Sequence, residues 1–239
     1  MIVFAAIAPH GDVDEIPELR GAMEELGRRF DAAGPETAIV VTPHNVHVDR
    51  HFAVVTAAHV GEWEVDRAAA AELLRADLPV LGVSYGGNAP EQAEMPLDWG
   101  TAVPLAFMRA RRIVVVSPAR DVPLEDHVRL GAFIASNSLL QTRRIALIAS
   151  ADHGHAHDPS GPYGFHPAAG AYDELLRQIL ASERLDFRPL GELAADAKAD
   201  SLWQLLVLQG VVGTAARADL LAYERSSYYG MAVAEVFAG

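Results

Sequence analysis

Four short runs constrain this chain more than anything else in it: IVFAAIA at residues 2–8, AIVV at 38–41, RIVVV at 112–116 and IALIA at 145–149. Each has the length of a strand and is apolar at nearly every position. A strand with one wet face would alternate, so these four read as strands covered on both faces, the habit of parallel sheets. Between them the spacing turns helical. Leu19, Met23, Leu26 and Phe30 line one face of a segment running from Ile16 to Ala33, which Gly34 and Pro35 stop. Further helices are expected over Val65–Leu74, Leu124–Leu140 and Pro167–Ser182, with shorter strands at Phe52–Ala58 and Leu78–Gly82 and a last one at Tyr228–Phe237. Asp98 to Thr101 open another helix, in whose first turn Pro104 would fit. The expectation is α/β: a single domain over residues 1–239, with a central mostly parallel sheet flanked by helices. With 51% hydrophobic residues the chain can bury a core of that size.

How the strands end carries the chemistry. The first enters Pro9, His10 and Gly11; the second enters Thr42, Pro43 and His44. Proline leaves the ladder and holds the residue before it extended, so each histidine is delivered to the carboxyl end of its strand. Ligands bind at that edge of open parallel sheets, which makes His10 and His44 candidates to converge across 33 intervening residues. The fourth strand breaks at Ser150 into a stretch holding His153, His155, His157 and His166 within fourteen residues. A solvated loop has no packing reason to gather imidazoles. If the backbone stays extended, His153, His155 and His157 share one side.

Composition narrows the partners. Net charge is −13, which argues against nucleic acid or an anionic membrane surface and leaves a small ligand. No cysteine is present, so any metal must be held by imidazole and carboxylate. The amino-terminal apolar run is too short for a membrane span and has no basic leader, so cytoplasm is the expected compartment. Ser84 to Asn88 have turn composition without phosphate-loop spacing. His127 follows no strand end and reads as an ordinary surface or core residue, and His47, His51, His59 and His166 as rim or surface. Asp200, directly before the apolar SLWQLLVLQG, would make a good helix N-cap.

Two imidazoles and a carboxylate on one face of a metal suit non-haem Fe(II), and zinc would accept them too. One of His153, His155 or His157 standing over that metal could take a hydroxyl proton, since imidazole titrates near working pH.

His10 in APHG, His44 in TPHN, Asp98-Trp99-Gly100 leading into VPL, Ser150 to His155, and GPYGFHPAAGAYD together resemble the class III extradiol ring-cleavage dioxygenases. The motifs stand in the family's order over most of the chain. The resemblance implies Fe(II) held by His10, His44 and a late carboxylate, with dioxygen cleaving a catechol- or aminophenol-type ring beside its hydroxyls. It places the acid/base histidine at His155 and the late carboxylate at Asp200, about ten residues before Gly210. Glu224 and, more weakly, Asp152 are the reserves for that ligand. Trp99, His153, His157 and Tyr163 are expected around the substrate, and a homodimer or a small partner subunit is implied. Two departures stand out: Asp200 is one methylene shorter than the family's usual glutamate, and Trp99 replaces a histidine that many members carry. A Memo-like binding protein without ring cleavage, or a zinc hydrolase, are the alternatives.

Overall fold

A computed structural model of the chain describes residues 1–85, 89 and 92–239. Gly86, Gly87 and Asn88 of the turn expected near Ser84 lie outside the described residues. In chain order the elements are β1 Ile2–Ala8, α1 Pro17–Ala33, β2 Thr37–Val41, β3 Phe52–Val55, β4 His59–Val60, β5 Trp63–Val65, α2 Arg67–Leu73, β6 Val80–Val83, β7 Glu94–Met95 and α3 Trp99–Leu105. There follow β8 Arg112–Ser117, α4 Leu124–Ser136, α5 Ser138–Gln141, β9 Ile145–Ser150, α6 Pro167–Leu180, α7 Gly191–Ala197, α8 Leu202–Val212, β10 Arg217–Arg225 and β11 Gly230–Phe237. This is an α/β architecture: a mostly parallel central sheet flanked by eight α-helices among the described residues.

The sheet order is β10-β11-β1-β9-β2-β8-β5-β4-β7, with β3 paired to β8 and β6. β1, β9, β2 and β8 run parallel as neighbours, so their carboxyl ends share one edge. β9 lies between β1 and β2, with Ile7 and Val41 both in register with Ala149. His10 and His44 therefore leave the sheet on either side of Ser150. Alternate side chains of the same strands feed two cores. Ala5, Ile7, Leu147 and Ala149 pack with α4, α6 and α8; Phe4, Ala6, Ala146 and Ile148 pack with α1.

Most of the expected elements appear within a few residues of their expected bounds, and three readings are corrected. The helix expected over Leu124–Leu140 breaks at Asn137, whose side chain caps the short α5 by accepting from the Leu139 and Leu140 amides. Pro104 is the sixth residue of α3, not part of a first turn. β10 was not anticipated; it is a half-buried edge strand pairing only with β11, so it lacks the continuous apolar run that marks the inner strands.

α8 is apolar on all sides, which fits a helix enclosed by protein. It crosses α4 at backbone contact: a β-carbon on Gly210 would stand 2.0 Å from the Val128 carbonyl oxygen. Replacing Gly210 with Ala is expected to force the two helices apart and cost about 1–3 kcal/mol, read as a lower denaturation midpoint.

His127 of α4 is fully buried, packs edge-on to Phe52 at 4.8 Å, and its ring nitrogens have no hydrogen-bond partner among the described residues. Burial lowers its pKa to about 4, against the pull of the nearby Pro123 and Ala119 carbonyls. The folded state thus keeps this ring neutral where the unfolded chain, titrating near 6.5, protonates it. The stability this ring supports is fully present above pH 6.5 and is lost as pH falls toward 4, by up to about 1.4 kcal/mol per pH unit. Denaturant melts between pH 7 and pH 4.5 should show a shallower loss for His127→Leu than for wild type.

Candidate metal centre and active site

His10 is buried at the end of β1, and its orientation follows from a chain of hydrogen bonds. Pro104 has no N–H, so the Gly100 carbonyl four residues earlier in α3 is left without its helical donor. The Ser150 hydroxyl donates to that carbonyl at 2.5 Å. With its proton so committed, Ser150 Oγ accepts from His10 Nδ1 at 3.0 Å. The Nδ1 side of the ring is therefore the protonated one, and Nε2 faces the cavity.

His44 is held from the other side. Asp98 caps α3 by accepting from the Thr101 amide, and it also accepts from Thr42 Oγ1 and Asn45 Nδ2. One carboxylate thus ties the turn carrying His44 to the start of α3. Gly100 permits the close approach, because a β-carbon there would stand 2.2 Å from Thr42 Oγ1. Trp99, 58% exposed, lies against the His44 ring with centroids 4.2 Å apart.

Asp200 completes the group. His10 Nε2 and His44 Nε2 are 2.9 Å apart, and Asp200 Oδ2 lies 3.4 Å from the first and 3.6 Å from the second. Donors about 2.1 Å from one ion stand about 3.0 Å apart at octahedral angles and about 3.4 Å apart at tetrahedral ones. The three atoms match either face. Asp200 Oδ1 is buried without a hydrogen-bond partner among the described residues, a further sign that this carboxylate is set for a cation. The expected capping role is corrected: Ser201 precedes α8, and the Asp200 side chain caps nothing. Ser201 Oγ instead bonds His153 Nδ1 and the Tyr172 hydroxyl. Glu224 lies on β10 opposite Met231 and outside the three-donor group. Asp152 supports His10, accepting from its amide and standing 3.5 Å from Nε2.

Electrostatics agree with a cation site held open by a proton. Burial alone would keep His10 neutral, but Asp152 and Asp200 outweigh it and raise its pKa to about 9. Burial and the neighbouring His10 lower His44 to about 4. His10 accordingly donates its Nε2 proton to a neutral His44. Burial opposes the charge on Asp200, yet the hydrogen bond and charge of His10 pull its pKa below the usual range, whereas burial raises Asp152.

The three donors open onto a cavity of about 860 Å³, which His155, Trp99 and Tyr163 also line. His155 Nδ1 donates to the His153 carbonyl at 2.6 Å, leaving Nε2 as the basic nitrogen. Its ring stacks on Tyr229 at 5.4 Å and meets Tyr163 edge-on at 5.8 Å. The expectation that His153 and His157 stand beside His155 around the substrate is corrected. His153 is fully buried against Ser201, and His157 Nε2 donates to Asp173 at 2.7 Å. Neither lines the cavity. The stretch does not continue as a regular strand: Asp173 of α6 accepts from the Gly154 amide as well as from His157, and the backbone turns round His155. His166 serves as the N-cap of α6, accepting from the Ala168 amide, and His47 lines the cavity with Nε2 donating to the Pro43 carbonyl.

Sequence reasoning passed over Asp173, Tyr229, Arg120 and Lys198. Asp173 was legible only as part of the GAYD motif, and the Tyr228-Tyr229 pair before the last strand carried no signal until its fold brought it to His155.

Residues 6–238 match the family described as the catalytic LigB subunit of aromatic ring-opening dioxygenase, and the chain belongs to that family. It is similar in fold to a solved structure, the uncharacterized protein JW3007 from Escherichia coli K12, at 17% identity and a TM-score of 0.68, covering 98% of this chain and 99% of that one. No curated protein matches the sequence. Among the described residues no helix is long and apolar enough to cross a membrane.

Removing the Ser150 hydroxyl frees His10 to turn or change tautomer without touching a donor atom. Ser150→Ala is therefore expected to weaken divalent-metal binding about 10- to 100-fold with the fold intact, measured by calorimetric titration beside far-UV circular dichroism. Unchanged affinity would show that the Ser150 contact does not set the ring.

Proposed function

We propose that this protein is a non-haem Fe(II)-dependent extradiol dioxygenase acting on a small catechol- or aminophenol-type substrate. The observation that carries the reading is the meeting of His10, His44 and Asp200 at 2.9–3.6 Å in the wall of a cavity that also receives His155. Two neutral nitrogens and one carboxylate leave the rest of the coordination sphere open, the set that suits ferrous iron. Bound there, Fe(II) supplies a Lewis acid that eases ionisation of a ring hydroxyl and the redox partner that ring opening by dioxygen requires.

The chain's own residues do the remaining work. His155 offers Nε2 as proton acceptor for the second hydroxyl, because its Nδ1 proton is committed to the His153 carbonyl. The same nitrogen can return that proton as the aromatic carbon–carbon bond beside the hydroxyls breaks and both atoms of dioxygen enter the product. Tyr229 stacks on the imidazole and holds its plane. Trp99, packed on His44, gives the cavity an aromatic wall. Asp200 is one methylene shorter than the family's usual glutamate, and its Oδ2 at 3.4 and 3.6 Å from the two imidazoles supports it as the third donor. A homodimer or a small companion subunit and a cytoplasmic setting belong to the same reading.

Protein loaded with ferrous iron without air, then given oxygen and a panel of catechols and aminophenols, should consume oxygen and form a yellow ring-opened product. His155→Ala should retain its iron while kcat falls about 100- to 10,000-fold. Silence across the panel with iron demonstrably bound would sink the proposal, and zinc in protein purified without added metal would favour hydrolysis.

A further inference from the structure

Asp173 has no part in the chemistry proposed above and does not line the cavity, yet it is only 3% exposed and accepts three hydrogen bonds. Its Oδ1 takes the Gly154 amide at 2.8 Å, and its Oδ2 takes His157 Nε2 at 2.7 Å and the Tyr223 hydroxyl at 2.6 Å. A buried carboxylate is costly unless its lone pairs are filled, so a position that served packing alone would do as well with an apolar side chain. Two of the three donors flank one residue. Gly154 stands directly before His155, and His157 two residues after it.

The rest of the stretch is tied to the backbone entering β11. The His153 amide donates to the Gly230 carbonyl, the Gly230 amide to the Gly154 carbonyl, and the His157 amide to the Tyr228 carbonyl. Between them His155 sends its own amide to the Ala197 carbonyl and its Nδ1 to the His153 carbonyl at 2.6 Å. In an extended strand a side chain stands away from its own backbone, so a ring that reaches the carbonyl two residues earlier needs a turned chain. That turn is the one in which Gly154 and His157 are both bound to Asp173. The contact decides more than a ring angle. Free imidazole prefers its proton on Nε2, so keeping the proton on Nδ1 and leaving Nε2 basic requires an acceptor that stays in place.

We infer that Asp173 is the positioning residue for His155: by binding Gly154 and His157 together it holds the turn in which His155 Nδ1 meets the His153 carbonyl, and so fixes which ring nitrogen accepts a proton. Asp173 is not among the three metal donors and acts only through that turn. Tyr223 bonds the same carboxylate from β10 without being part of the stretch that carries His155. That this ring is the acid/base of the reaction rests on the proposed function; its tautomer does not.

The test reads the ring directly. Proton–nitrogen correlation spectra of the full chain, carrying isotope-labelled histidine and diamagnetic zinc in place of iron, tell a protonated Nδ1 from a protonated Nε2; the His155 signals are assigned by their loss in His155→Ala. Recorded where this ring is neutral, wild type should show one form, protonated on Nδ1. Asp173→Ala, which cuts both ties, should give a mixture dominated by the Nε2-protonated form, and His157→Leu, which cuts one, an intermediate mixture. Tyr223→Phe removes the third donor and should lower the denaturation midpoint while leaving the His155 spectrum as in wild type, a separation that a merely structural role would not produce. With iron restored, Asp173→Ala and His157→Leu should keep their metal and KM while kcat falls about 10- to 100-fold, part of what a positioned acid/base contributes. An unchanged Nδ1-protonated signal in Asp173→Ala and His157→Leu overturns the inference, as does an equal shift in Tyr223→Phe; should Asp173→Ala not fold, His157→Leu against Tyr223→Phe decides. A changed tautomer with kcat untouched upholds the role of Asp173 and overturns the acid/base role of His155. Absence of turnover in wild type overturns the proposed function and leaves the spectra to decide on Asp173.

Discussion

The hydroxyl of Ser150 joins three parts of the molecule that sequence keeps far apart. It ends β9, the strand lying between the two that deliver His10 and His44. It donates to a carbonyl that Pro104 leaves unpaired in α3, and through the same oxygen it accepts from His10. A hydroxyl has one proton and two lone pairs, so committing the proton in one direction decides what the oxygen must do in the other. The orientation of the buried His10 ring, and the proton on its Nδ1, are in this way set by the absence of an N–H in a helix about fifty residues upstream.

Around that contact the site divides between rigid and irregular backbone. His10 and His44 follow inner strands whose register is held by burial on both faces, so their positions tolerate little drift. Asp200 and His155 sit on irregular segments, each pinned by buried polar groups: Ser201 with Tyr172 and His153 behind the first, Asp173 with Gly154 and His157 around the second. Buried histidines that do not face the cavity are therefore not spare ligands. They are the struts that let two loops hold Asp200 and His155 as firmly as strands would.

Electrostatic pressure in the site runs one way. Asp152, Asp200 and Asp98 gather round two imidazoles in a protein that is already acidic, and the carboxylates keep a proton on His10 against the pull of burial, a positive charge that a bound cation would replace. Lys198 and Arg120 add the opposite sign at the same cavity.

The sequence by itself determined the inner strands, the helices between them and the two strand-end histidines, because continuous apolar runs and Pro-His junctions are local signals that burial on both faces demands. His155 and Asp200 as site residues came through resemblance to a family and not through spacing. Only the tertiary structure decided which of three alternating histidines reaches the cavity, since Asp173 lies sixteen residues beyond His157 and the stretch it binds turns out of the extended form that alternation presumes. It likewise turned Asp200 from a helix cap into a neighbour of two imidazoles, and brought Lys198 and Arg120 to one cavity. Such pairings depend on how loops pack over the sheet edge, and a contact between segments distant in sequence leaves no period or composition by which it could be read.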